Sequence, residues 1–117
     1  MSVHLELKDL IAAQYGAQLP DGVQLKQDAL LLQFDSGLVL ELRFASPDEY
    51  AFNWLWGDAE MRIDTAPLHP ELKTQPNHFH DAEGQLHDDP LTRTGAAPWD
   101  NVRKVIDAVL HDPLLSG

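Results

Sequence analysis

Two stretches that each fold back on themselves at a glycine-bearing turn constrain this chain more than any other feature. Ala29-Leu30-Leu31-Leu32-Gln33-Phe34 and Leu38-Val39-Leu40-Glu41-Leu42-Arg43-Phe44 flank Asp35-Ser36-Gly37, where glycine can supply a positive φ. Tyr50-Ala51-Phe52-Asn53-Trp54-Leu55-Trp56 and Glu60-Met61-Arg62-Ile63-Asp64 flank Gly57-Asp58 in the same way. Consecutive hairpins imply an antiparallel sheet. Alternation sends Phe52, Trp54 and Trp56 to one face, except where the turn twists the strand, and their size makes them packing residues.

Helical periodicity brackets this region. Leu7, Leu10, Ile11 and Tyr15 form a stripe within Leu5 to Tyr15, and Gly16 is a stop. After Pro98, residues Val102, Val105, Ile106, Val109 and Leu110 recur at helical spacing, and the pattern ends before Pro113. Between Asp64 and His78, Pro67, Pro70 and Pro76 resist regular pairing and predict a loop. A short extended piece from His78 to Ala82 turns at Glu83-Gly84 into Gln85-Leu86-His87, and a second loop runs from Asp88 to Gly95. The expected architecture is α+β: one domain over residues 1–117, a meandering antiparallel sheet of about four to six strands with an N-terminal and a C-terminal helix on one face. A chain of 117 residues fits one core of the usual size.

Charge and composition narrow the function. Nineteen acidic and eight basic residues give a formal charge of -11, which repels a phosphate backbone and disfavours direct nucleic-acid binding outside a locally basic groove. A basic protein partner suits this surface better. The absence of cysteine excludes disulfides, thiolate zinc sites, iron–sulfur clusters and cysteine nucleophiles. Met1-Ser2-Val3-His4-Leu5-Glu6 lacks the character of a secretion signal, and no apolar run reaches membrane-spanning length, so the expectation is a cytoplasmic protein without a membrane partner. Neither a Gly-x-Ser-x-Gly elbow nor a phosphate-binding P-loop is present.

The histidines carry what chemistry there is. Three of six lie between positions 69 and 80, and His78-Phe79-His80 places two imidazoles on one face of a strand. Asp64 and His69 complete a candidate site with His78 and His80. One reading makes His69, His78 and His80 ligands of a divalent metal such as zinc, with Asp64 as ligand or base. Another is metal-free: the carboxylate orients an imidazole for proton transfer near neutral pH. A structural reading has Asp64 capping the amides of Thr65 and Ala66 while the histidines brace the proline loop. Arg62 shares the face of Asp64 if no bulge intervenes and could bind an anion, as could the other scarce arginines, Arg43, Arg93 and Arg103. His87-Asp88-Asp89 reads as an acidic turn before Pro90, and Glu71 and Lys73 as solvated loop charges.

Tyr50-Ala51-Phe52-Asn53-Trp54, then Met61 through Leu72, then Gln75-Pro76-Asn77-His78-Phe79-His80 resemble the TumE-type toxins of bacterial toxin–antitoxin systems. These carry an aromatic strand, a W-D-N-A-P-H-H-like segment, a P-H-H-x-H-like segment and a closing amphipathic helix. Asp64, Ala66, Pro67, His69, Pro76, His78 and His80 coincide with motif positions, and the helix from Trp99 to Leu110 fits the ending. The chain departs from the pattern at Ile63, Thr65 and Leu68, where the family has tryptophan, asparagine and the first of two histidines. The resemblance implies a toxin encoded in mobile or accessory DNA beside an antitoxin with a helix-turn-helix module, and RNA cleavage is its natural activity by analogy. Two other readings are a non-catalytic protein-interaction module with an acidic surface and a metal-dependent hydrolase. Exposed strand edges are compatible with a dimer.

Overall fold

A computed structural model describes residues 3–116. Helix α1 (Val3–Tyr15) leads into seven strands and the closing helix α2 (Pro98–His111). The strands are β1 (Val23–Lys26), β2 (Ala29–Gln33), β3 (Val39–Ser46), β4 (Glu49–Trp56), β5 (Ala59–Asp64), β6 (His78–His80) and β7 (Leu86–Asp88). Each pairs antiparallel with its neighbour in sequence, so the sheet order is β1 to β7 without a crossover. The α+β class, the meander and the two helices agree with the sequence reading. The strand count does not: seven replace four to six. The additional strand is β1, whose four residues carry too little alternation to announce a strand and which is recruited by pairing with β2, Val23 opposite Leu32 and Lys26 opposite Ala29.

Both expected hairpins form. Gly37 adopts φ 99° and Gly57 φ 59°, a region in which a side chain would be strained. Strand alternation then divides the sheet into two unlike faces. Leu30, Leu32, Leu40, Leu42, Phe52, Trp54, Met61 and Ile63 point to one side and join Leu7, Ile11 and Tyr15 of α1 and Val102, Val105, Ile106 and Val109 of α2 in a single core. Phe52 and Trp54 are wholly buried, each contributing about 2–3 kcal/mol of transfer free energy. Trp56, at the turn, is partly exposed, so the twist separates it from the other two.

One expected stripe residue is displaced. Leu10 is exposed, and His4 takes the place on the buried face of α1, where its Nε2 accepts the Phe44 amide at 3.2 Å. The 3-4-4 spacing of positions 4, 7, 11 and 15 follows the helical period closely enough to keep one face, while position 10 rotates off it. Among the described residues, no helix is long and apolar enough to cross a membrane.

Candidate functional site

The second face of the sheet carries no helix. Cross-strand neighbours share a face, and on this one β5 sets Asp64 opposite His78 and Arg62 opposite His80, while Ala51 and Asn53 of β4 pair with Asp64 and Arg62. No bulge interrupts these registers, so Arg62 does lie beside Asp64, its Nε donating to Oδ2 at 2.5 Å and its Nη1 to Asn53 Oδ1 at 2.9 Å. Phe79, between the two imidazoles, faces the other way and stacks on Trp54 in the core with ring centroids 5.9 Å apart. That anchor fixes which way His78 and His80 point.

The loop between β5 and β6 brings His69 over the pair. Ring centroids lie 4.7 Å apart for His69 and His78, 4.9 Å for His78 and His80, and 6.2 Å for His69 and His80. One ring nitrogen from each of the three falls within 4.8 Å of the others. Asp64 joins from below, its Oδ1 2.8 Å from His78 Nε2. All four residues singled out from the sequence therefore meet. His78 is 2% and Asp64 7% exposed, whereas His69 and His80 are only half-buried and open the cluster to water. His80, Arg62 and Asp81 also border a surface cleft of about 480 Å³.

His78 is held in an unusual balance of partners. Its Nε2 meets the Asp64 carboxylate and its Nδ1 the Pro76 carbonyl at 3.2 Å, and both are acceptors. A neutral imidazole has one N–H and satisfies only one of them, leaving a lone pair against a lone pair on the other side. A second proton, or a cation lodged beside the ring, removes the conflict. Asp64 is itself strongly held: burial pushes its carboxyl up, but the Arg62 guanidinium, the Ala66 amide at 3.0 Å and His78 outweigh this and keep it below the usual carboxylate range. For His80, burial and then the charge of His78 push the imidazole below the ordinary histidine value, against the opposing pull of Asp64.

The structural role foreseen for Asp64 is thus present as well, in the Ala66 contact. Thr65 is not capped by it; its hydroxyl instead bonds the Tyr50 backbone, accepting from N at 3.0 Å and donating to O at 3.3 Å. Glu71 is not wholly free either, since its carboxylate lies 3.7 Å from His69 Nδ1. The acidic-turn reading of His87-Asp88-Asp89 holds only at Asp89, because pairing with β6 draws His87 and Asp88 into β7. His87 pairs with Asp81 at 2.7 Å, Asp88 accepts the Lys73 amide at 2.9 Å, and Asp89 accepts the Leu91 and Thr92 amides at 2.8 and 2.9 Å.

Sequence reasoning missed a second polar cluster. Asn77 Nδ2 donates to Tyr50 Oη at 2.9 Å and to Asp89 Oδ2 at 3.1 Å, and the Thr92 hydroxyl donates to the same carboxylate. Asn101, from α2, bonds the Arg93 backbone on both sides. Five polar residues scattered from position 50 to 101 share no local period, so no pattern in the chain could have gathered them. The only hint was Asn77 preceding His78 in the motif.

The departures from the family pattern lie outside the contacts of the histidine cluster. Ile63 is buried in the core on the opposite face, Thr65 ties β5 to β4, and Leu68 is 71% exposed. Compared with known proteins, residues 7–113 match the model of the family described as toxin TumE. No curated protein and no solved structure matches the chain.

Proposed function

The chain belongs to the TumE toxin family, and on that premise we propose that it is the toxin of a bacterial toxin–antitoxin pair, acting in the cytoplasm on RNA through Asp64, His69, His78 and His80. The observation that carries this reading is the convergence of three imidazoles and one buried carboxylate at a half-open spot beside a cleft. In RNA cleavage the 2′-hydroxyl attacks the adjacent phosphorus and the bond to the 5′-oxygen breaks. His80, kept neutral at pH 7 by its surroundings, accepts the hydroxyl proton. The departing oxygen takes its proton at the water-open side of the cluster, where His69 lies over His78, which Asp64 and Pro76 hold in place. Arg62 offsets charge that develops on the phosphate. The acidic surface suits a basic antitoxin, one with a helix-turn-helix module, better than it suits RNA gripped along its whole length.

Expression with and without the neighbouring gene tests this. The chain alone should arrest growth, the neighbour should restore it, and the double substitution His78→Ala/His80→Ala should abolish the arrest while the protein still folds. If the chain is harmless by itself, the toxin reading fails. If the double substitution lowers thermal stability and leaves the arrest intact, the histidines are loop braces and the chain acts through protein contacts alone.

A metal-dependent hydrolase is the second reading, favoured by the nitrogen cluster and by the unresolved tautomer of His78. His69, His78 and His80 would hold a divalent cation such as zinc with Asp64 beside them, supplying an activated water. Elemental analysis of protein purified without added metal decides between the two: a stoichiometric ion whose removal by chelator abolishes activity selects the metal, and its absence in active protein selects proton transfer.

A further inference from the structure

A second cleft, of about 570 Å³, lies away from the histidines, between the loop that follows β7 and the first turns of α2. Its walls include Asp89, Thr92, Arg93, Asn101, Arg103 and Lys104. Three of the chain's eight basic residues therefore face one hollow in a protein of net charge -11. Two acids, Asp89 and Asp100, share the wall, but neither is ion-paired with Arg93 or Lys104. Asp89 is buried and its carboxylate is taken by the Leu91 and Thr92 amides, Asn77 and the Thr92 hydroxyl. Asp100 reaches Arg103 at 3.5 Å, while Arg93 and Lys104 have no carboxylate partner among the described residues.

The walls are also rigid. Asn101 Oδ1 accepts the Arg93 amide at 3.2 Å and Nδ2 donates to the Arg93 carbonyl at 3.0 Å, so a buried side chain of α2 clamps the loop residue that carries the guanidinium. Further along, Gly95 N donates to Asp48 Oδ1 at 2.7 Å and ties the loop to the sheet. Arg93 and Lys104 bring two unpaired like charges to one hollow, and a bound anion relieves their repulsion. Asp100 partners Arg103, which leaves the Arg93 guanidinium and the Lys104 ammonium as the two wall cations without an ion pair among the described residues. A phosphoryl dianion matches both the charge and the forked donor geometry of arginine. The volume falls within the roughly 300–1,000 Å³ range of small-ligand clefts and accommodates a nucleotide.

We propose that this cleft binds a phosphoryl group, with Arg93, Arg103 and Lys104 as its cationic contacts and a nucleotide-sized ligand, free or at the 5′-end of an RNA, as its occupant. The site stands apart from the histidine cluster and does not depend on the toxin's reaction. Calorimetric titration of the full chain with inorganic phosphate and with AMP tests it. A short 5′-phosphorylated oligoribonucleotide and its 5′-hydroxyl counterpart are then titrated into the His78→Ala/His80→Ala variant, which prevents turnover. Binding of AMP, or of the phosphorylated but not the hydroxyl oligonucleotide, supports the site, and which of the two binds more tightly identifies the source of the phosphate.

Arg93→Gln and Lys104→Gln should each weaken that binding by about tenfold, with unchanged melting temperature because both side chains are exposed. Lys26→Gln, a cation on β1 outside the cleft, serves as control and should leave affinity alone. Failure of every phosphoryl compound to bind at millimolar concentration overturns the proposal. So does a loss in Lys26→Gln equal to that in Arg93→Gln, which would mark a diffuse charge effect.

Discussion

Asn77 and His78 are adjacent in the chain, yet their side chains enter two different polar clusters. Asn77 joins Tyr50, Asp89, Thr92 and Asn101, a network of hydroxyl, amide and carboxylate groups in which nearly every buried polar atom has a complementary partner; Asn77 Oδ1 is the exception. His78 joins Asp64, His69 and His80, where one ring faces two acceptors and three imidazoles crowd together. Complementary donors and acceptors hold a fold in one arrangement. A cluster that needs a mobile proton or a cation to satisfy it is poised for chemistry. The first cluster should therefore govern stability and the second activity, and substitutions can separate the two.

The largest effect is expected at His80. If the chain cleaves RNA as proposed, His80→Ala should slow that cleavage by about 10²–10⁴-fold, the usual contribution of a general base, with little change in melting temperature. A normal cleavage rate in this variant would place the histidine cluster on the structural side of the comparison. Next comes Asp89→Ala, which leaves the Leu91 and Thr92 amides without their acceptor, removes one acceptor of Asn77 and should lower unfolding free energy by about 3 kcal/mol in urea. Activity per folded molecule should survive. Asp64→Asn keeps the shape but removes the charge that steadies His78, so the rate should fall about 10–100-fold with only a modest loss of stability.

Acid sharpens the contrast further. The folded Asp64 carboxyl sits below its ordinary value of 3.8, so its stabilisation is present above that pH and is lost as pH falls through the depressed folded value. Folding resists charging of His80, whose ordinary value is 6.5. Below that pH the unfolded chain takes up the proton first, and stability declines as pH drops towards the lowered folded value. Melting temperature should thus fall on acidification from pH 7, and His80→Gln should flatten the part of the slope just below 6.5. The acid limb of the activity profile should likewise lie below 6.5. Smallest of all is Leu68→Ser: this side chain is 71% exposed, so stability should move by less than about 0.5 kcal/mol and activity not at all.

Much of the fold was legible because its signals are local. The Gly37 and Gly57 turns, the alternation along β3, β4 and β5, and the period of α2 each lie within a few consecutive residues. Strand β1 escaped because four residues carry too weak a pattern, and Leu10 was misplaced because two apolar neighbours compete for one helical face. The candidate site was half legible. Period two joined His78 to His80 and Arg62 to Asp64, but the Pro76 carbonyl that completes the surroundings of His78 is a backbone atom that side-chain reading does not weigh.

By itself, then, the amino-acid order determined most of the elements, the glycine turns between them and the sharing of one strand face by His78 and His80, since these follow from dihedral preference and residue period. Only the tertiary structure decided that Asp64 lies opposite His78, that His69 folds over both, and that Asn77 leaves its neighbour for another cluster. Register across a long loop is set by how Phe79 stacks on Trp54 in a core that the whole chain builds, and that free energy belongs to no local stretch of sequence.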